Sequence, residues 1–224
     1  MNKIILASVL FLASVNTSHA QKKIAVYAAG NFGLAAAKLQ PSGSTTITSK
    51  LSGGLGMHLT GQLTKRVFVV AQPAVNFRGY VSSNAANKYD VSATYIDIPA
   101  ALEYHYSLFK DMKDGKDDYP FFIGAGLYGG FAVAGKYTDK YLNDPSVKIK
   151  FGESATDNRS KTDYGLNFVA GLSINDWGFG NFKTNLRFGL QKQVGLKNVV
   201  PKDRQTGGNE IKLRNLSLFV AIKI

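Results

Sequence analysis

The chain contains no cysteine. That single absence excludes disulfides, thiolate metal sites, a cysteine nucleophile and a lipidated N-terminal cysteine. Histidine is nearly as scarce: His19 lies in the leader, so only His58 and His105 remain for acid–base or metal chemistry. No segment beyond the leader approaches the ~18 consecutive apolar residues that a membrane-crossing helix needs. Helical membrane proteins are therefore excluded, whereas a closed β-barrel is not, because alternation dilutes its apolar signal. Acidic residues are also few, 15 against 27 Lys and Arg, giving a formal net charge of +12. These cations are scattered through turns and strand ends and form no basic helix or patch, so nucleic acid is not an expected partner.

The opening "MNKIILASVLFLASVNTSHA" has a cation at Lys3, an apolar run from Ile4 to Val15 and small residues at Ser18 and Ala20. This order is that of a secretory signal peptide. Residues 1–20 are read as the leader and 21–224 as one mature domain.

Within that domain the dominant pattern has a period of two. In "YIDIPAALEYHYSLF", residues 95–109, Ile96, Ile98, Ala100, Leu102, Tyr104, Tyr106 and Leu108 share one face, and Asp97, Glu103 and His105 share the other. The run exceeds the usual 5 or 6 residues of a soluble strand and suits a tilted bilayer crossing of roughly 9 to 11. Seven further segments repeat it, at about 22–36, 50–60, 67–80, 121–135, 164–175, 182–193 and 211–224. The expected fold is all-β, an eight-stranded antiparallel up-and-down transmembrane β-barrel in the cell outer membrane. Connections after the second, fourth and sixth strands are mostly short, and the others are longer, with 136–163 the longest. Short periplasmic turns and long extracellular loops have this asymmetry, which places both termini on the periplasmic side. Aromatic residues gather near strand ends, with Tyr104, Tyr106, Phe109, Tyr119, Phe121, Trp177, Phe179 and Phe182 expected in a periplasmic girdle and Tyr80, Tyr95, Tyr137 and Tyr164 in an outer one.

An eight-stranded barrel is just wide enough for its own side chains to fill. Parity turns Arg78, Asp97, Glu103, His105, Lys183 and Arg187 inward, and burial of so many charges requires that they pair and hydrogen-bond. They are read as a structural polar network, with Gly54, Gly124 and Gly126 making room for Arg78 and Glu103. No catalytic, cofactor or metal site is expected. "GAGLYG" (124–129) satisfies a dinucleotide-binding spacing but lies within continuing alternation, with no helix start to hold a pyrophosphate. The acids of 111–118 are interleaved with lysines as in a solvated turn, and no cluster has zinc spacing. In the long loop, "VKIKF" (147–151) reads as a hairpin extending the strands beyond the membrane, on a surface open to partners.

"YIDIPAALEY" (95–104) resembles the pattern of the PorT-like outer-membrane β-barrel family of Bacteroidota. "VAQPAVNFRGY" (70–80), "PFFIGAGLYGGF" (120–131), "DYGLNFVAGLSI" (163–174) and "LRFGLQKQVGLKNV" (186–199) are similar to that family's other strands, in the same order. The resemblance implies a small outer-membrane barrel and carries over no catalytic residue. A class of that family serves type IX protein secretion. Together these readings give a non-enzymatic barrel without cofactor, acting through outer loops or as an accessory subunit, with outer-membrane lipid and envelope or secretion-complex proteins as partners. A lipid-modifying barrel enzyme using His58 or His105 is an alternative. A soluble lipocalin-like carrier is another, disfavoured because such barrels turn apolar residues inward.

Overall fold

The computed structural model describes residues 24–40, 45–85, 87–107, 120–140, 145–177, 184–205 and 210–224. The signal-peptide reading of residues 1–20 lies outside them. Ten strands form one sheet: β1 (Ile24–Gln40), β2 (Thr46–Gln62), β3 (Val67–Ala71), β4 (Ala74–Ser83), β5 (Lys88–Ser107), β6 (Pro120–Asp139), β7 (Val147–Lys148), β8 (Thr162–Trp177), β9 (Thr184–Gly195) and β10 (Glu210–Lys223). These make eight staves. Strands β3 and β4 are one stave interrupted at Gln72–Pro73, where proline has no N–H to donate. The register against β5 nevertheless runs on unbroken, from Ala71 opposite Ala100 to Ala74 opposite Asp97. Strand β7 is a short spur paired to the upper end of β6. It is the hairpin expected at "VKIKF".

Every stave pairs antiparallel with its neighbours in sequence, and β1 pairs with β10 from Tyr27 opposite Lys223 to Gln40 opposite Glu210. The sheet thus closes on itself, with no stave left as an open edge. Large apolar side chains point out of the ring: Ile98, Leu102, Leu127, Leu190, Leu218 and Leu55, the last 76% exposed. Arg78, Asp97, Glu103, Arg187, Asn167 and Gln193 point into it and are buried. In water this would be inside out. In a bilayer the outer face meets hydrocarbon, and the closed ladder satisfies every stave's N–H and C=O groups.

Three register shifts interrupt the alternation, one of them between Ile174 and Trp177 on β8, which turns Trp177 outward. The register of β2 against β4 shifts between Ser49 and Gly53, so Ile47 turns inward while Leu51 points out. On β6 a shift at Val133, between the partners of Thr94 and Tyr95, leaves Phe131 and Val133 outside and turns Gly135 and Tyr137 toward the axis. An extra residue on one strand of a pair has this effect.

The outer aromatic girdle is the reading that fails. Tyr80 and Tyr95 are each only 3% exposed and pack inside the ring with Ala132, Ile149, Val199 and Leu213, and Tyr137 is half-buried against them. Of the four, only Tyr164 faces out strongly. Tyr80 lies two residues from the inward Arg78 and Tyr95 two from the inward Asp97, so parity turns both rings to the axis, where they form an internal plug. At the opposite end Tyr104, Tyr106 and Trp177 do face outward. Phe109, Tyr119, Phe179 and Phe182 lie outside the described residues.

Closure makes a test available, because the chain has no cysteine of its own. Leu34 and Leu216 are opposite one another across the β1–β10 seam. The double variant L34C/L216C should cross-link on mild oxidation, seen as a mobility change reversed by reductant, since facing Cα atoms sit within disulfide range. The offset pair L34C/V220C should not. Equal cross-linking of both, or of neither, would contradict the register.

Candidate functional site

The interior holds two ionic clusters, one above the other. In the first, the Arg78 guanidinium donates to Asp97, to Asp163 at 3.3 Å and to Gln193 at 2.7 Å. Asn76 donates to Asp97 at 2.6 Å, and the Tyr128 hydroxyl to Asp163 at 2.9 Å. The guanidinium also lies over the rings of Tyr95 and Tyr128, at 5.3 and 5.4 Å. In the second cluster Arg187 donates to Glu103 at 2.5 Å, and His105 Nε2 contacts the same oxygen at 3.1 Å. The Arg187 guanidinium stands 4.3 Å from the centre of Phe122.

Of the residues singled out in the sequence, Arg78 and Asp97 are brought together in one cluster and Glu103, His105 and Arg187 in the other. Lys183 lies outside the described residues. Asp163, Tyr128 and Gln193 complete the upper cluster without having been singled out. Asp163 fell just before the expected start of its strand, although it shares parity with Gly165 and the inward Asn167. Glycine makes room as expected at Gly124, where an added Cβ would stand 2.8 Å from Glu103 Cγ. Gly54 serves a different neighbour: its Cβ would overlap the Asn76 carboxamide, not Arg78.

The two histidines belong to this interior. His58 is fully buried, takes a hydrogen bond from Gln72 at 2.6 Å and stacks on Phe219. His105 stacks on Phe68 with ring centres 4.0 Å apart. Among the described residues no three His, Asp or Glu side chains come together as a metal site.

Above the clusters the long-loop end is capped. From β7 the chain turns inward, so that Ile149 and Phe151 close over Tyr80, Val91 and Leu213, and Val199 from the β9–β10 connection packs beside them. Glu153 ties the two connections together, accepting from Ser160, from Lys197 at 3.1 Å and from the Lys202 amide at 3.4 Å. Partial burial pushes its carboxyl upward, but the bonds from Ser160 and Lys197 prevail and hold it below the ordinary glutamate range.

Between this cap and the strand tips lies a cleft of about 310 Å³, bounded by Ile47, Tyr89, Tyr137, Asn158, Arg159 and Ile211. Tyr89 and Tyr137 meet edge to face at 6.3 Å. Arg159 donates to the Tyr80 hydroxyl and to the Asn158 carbonyl. It has no carboxylate partner among the described residues. Its charge stands among aromatic and aliphatic side chains and the polar Asn158 and Ser82, suited to a ligand that is anionic at one end and apolar or flat at the other.

Residues 18–199 match the outer membrane protein beta-barrel domain family. The chain belongs to that family. It is accordingly an outer-membrane protein. Among solved structures, the outer membrane protein OprG from Pseudomonas aeruginosa is 11% identical, with 90% of this chain and 95% of that one covered and a TM-score of 0.46. Neisserial surface protein A is 14% identical over 90% of this chain and 99% of its own, with a TM-score of 0.42. Ail, the attachment invasion locus protein of Yersinia pestis, is 11% identical over 90% and 99%, also at 0.42. A search of curated proteins gave no match.

The lower cluster predicts a specific stability pattern. Arg187→Met leaves the buried Glu103 carboxylate with His105 as its one remaining partner among the described residues, a loss of about 3–5 kcal/mol in urea unfolding from lipid vesicles. Adding Glu103→Gln to that variant should restore most of the loss, because no unpaired charge then remains buried. A double variant as unstable as Arg187→Met alone would contradict the pairing.

Proposed function

We propose that this barrel is a non-enzymatic surface protein that acts through its long-loop end, taken as extracellular, as a binding protein or as an accessory subunit of a larger envelope complex. The observation that carries this reading is the filled interior under a capped mouth. Two ionic clusters and an apolar plug stand between the two ends, so a solute has no lumen to follow. The chemistry still open to solvent at that end is the tyrosine-lined cleft with Arg159. The interior network of Arg78, Asp97, Glu103, His105 and Arg187 serves as an internal strut, and residues 1–20 as an export signal.

A component of type IX protein secretion is the finer form of this reading. It is supported by the motif resemblance over nearly all of the mature chain. Lipid chemistry by His58 or His105 is not favoured, because both rings are engaged in interior contacts away from the outer surface on which a lipid would lie. Lipid and other envelope proteins are the partners, and nucleic acid is not.

Co-purification from the native outer membrane in mild detergent tests the proposal. A defined envelope protein should accompany the wild-type chain and be depleted roughly tenfold or more with Arg159→Ala, whose loss removes a charge-assisted contact of about 1.5–3 kcal/mol. Recovery of the chain alone, under conditions that keep other envelope complexes intact, would overturn the accessory role.

A further inference from the structure

The outward face is apolar over most of its length, with cations toward the long-loop ends of β1, β9 and β10, at Lys38, Lys192, Lys212 and Arg214. The hydrogen-bonded register carries a row of outward residues around the ring, from Leu102 to Ala125, Phe168, Lys192, Leu216 and Leu34. Lys192 alone in that row is charged, and Leu190 and Val194 flank it on its own strand. Arg214 also points outward, opposite Val194 and therefore diagonal to Lys192 on β10. Diagonal neighbours of this kind stand about 7–8 Å apart. Of the cations near them, Lys212 takes Glu210 and Lys197 takes Glu153. Among the described residues, Lys192 and Arg214 have no such partner.

A cation on the lipid face costs roughly 2–4 kcal/mol at the bilayer midplane and about 0–1 near an interface. Two adjacent ones close to the long-loop ends of β9 and β10 are tolerable where their heads reach an anion. Beside them runs a shallow outer groove of about 530 Å³, floored by the small side chains of Ala125 and Ala170 and walled by Leu102, Ile123, Phe168 and Leu190. Its surface is almost wholly apolar, and Lys192 stands at its edge. We infer that this is a binding site for a phosphate-bearing membrane lipid, with the phosphate bridging Lys192 and Arg214 and an acyl chain lying over Ala125 and Ala170. The charge selects the anion, and the continuous apolar groove beneath selects a lipid over a soluble phosphate. A second copy of the chain is a poorer occupant, since it would set two cations against an identical pair or bury them in hydrocarbon.

The test uses the full mature chain in neutral detergent, titrated with dioleoylphosphatidylglycerol, with zwitterionic dioleoylphosphatidylcholine or with inorganic phosphate. Retained lipid is read by native mass spectrometry and thermal midpoint. Phosphatidylglycerol should bind selectively and raise the midpoint. K192Q/R214Q should bind it about thirtyfold more weakly, at about 1 kcal/mol per cation near the headgroups. A170F, which fills the groove and leaves both charges, should also lose retention. Equal binding of both lipids, unchanged binding in K192Q/R214Q, or full competition by inorganic phosphate would overturn the inference. So would a dimer that A170F dissociates.

Discussion

Closure of the backbone ladder between β1 and β10 is the constraint on which everything else in this molecule depends. Hydrocarbon offers no hydrogen-bond partner, and each unpaired N–H or C=O left in it costs several kcal/mol. A sheet with open edges would expose a full row of such groups on each edge strand. Pairing of the first stave with the last removes both rows at once. The apolar outer face can then be as exposed as it is without being a liability, because its surroundings are as apolar as itself.

Closure at eight staves also fixes what the inside can be. The lumen is too narrow to carry a wide column of water, so side chains fill it, and period-two alternation makes those side chains polar. Charges placed there must be neutralised locally. Arg78 meets two carboxylates, while Glu103 meets Arg187 and His105, and the tyrosine and phenylalanine faces take the remaining contacts of the guanidinium groups. Such a core holds the staves in one arrangement. It also moves chemistry outward, to the cap with its cleft and to the cationic spot beside the outer groove.

Much of this was legible in the sequence because a barrel's two solvents write opposite residue types onto alternate positions. Strand number, the inward set Arg78, Asp97, Glu103, His105 and Arg187, and the hairpin at 147–151 all follow from parity or from turn residues. Three features did not. The bulges near Ser49 and Val133 leave no compositional mark, since an inserted residue is as apolar or polar as its neighbours, yet each reverses the facing beyond it. Nearness to a strand end suggests a lipid interface for Tyr80 and Tyr95, yet their parity with Arg78 and Asp97 turns them into the plug. The Lys192–Arg214 pair arises from register between two strands, which a linear reading does not reveal.

Which way the alternating faces look decides whether the ring belongs in a membrane, and lipid-phase quenching reads that directly. Single cysteines at consecutive positions 98 to 102 on β5, each carrying a small environment-sensitive fluorophore, would be compared in vesicles with and without brominated acyl chains. Strong quenching at 98, 100 and 102 with weak quenching at 99 and 101 is the predicted result. Quenching that is uniform along the segment, or strongest at 99 and 101, would contradict a ring whose apolar side chains face the membrane.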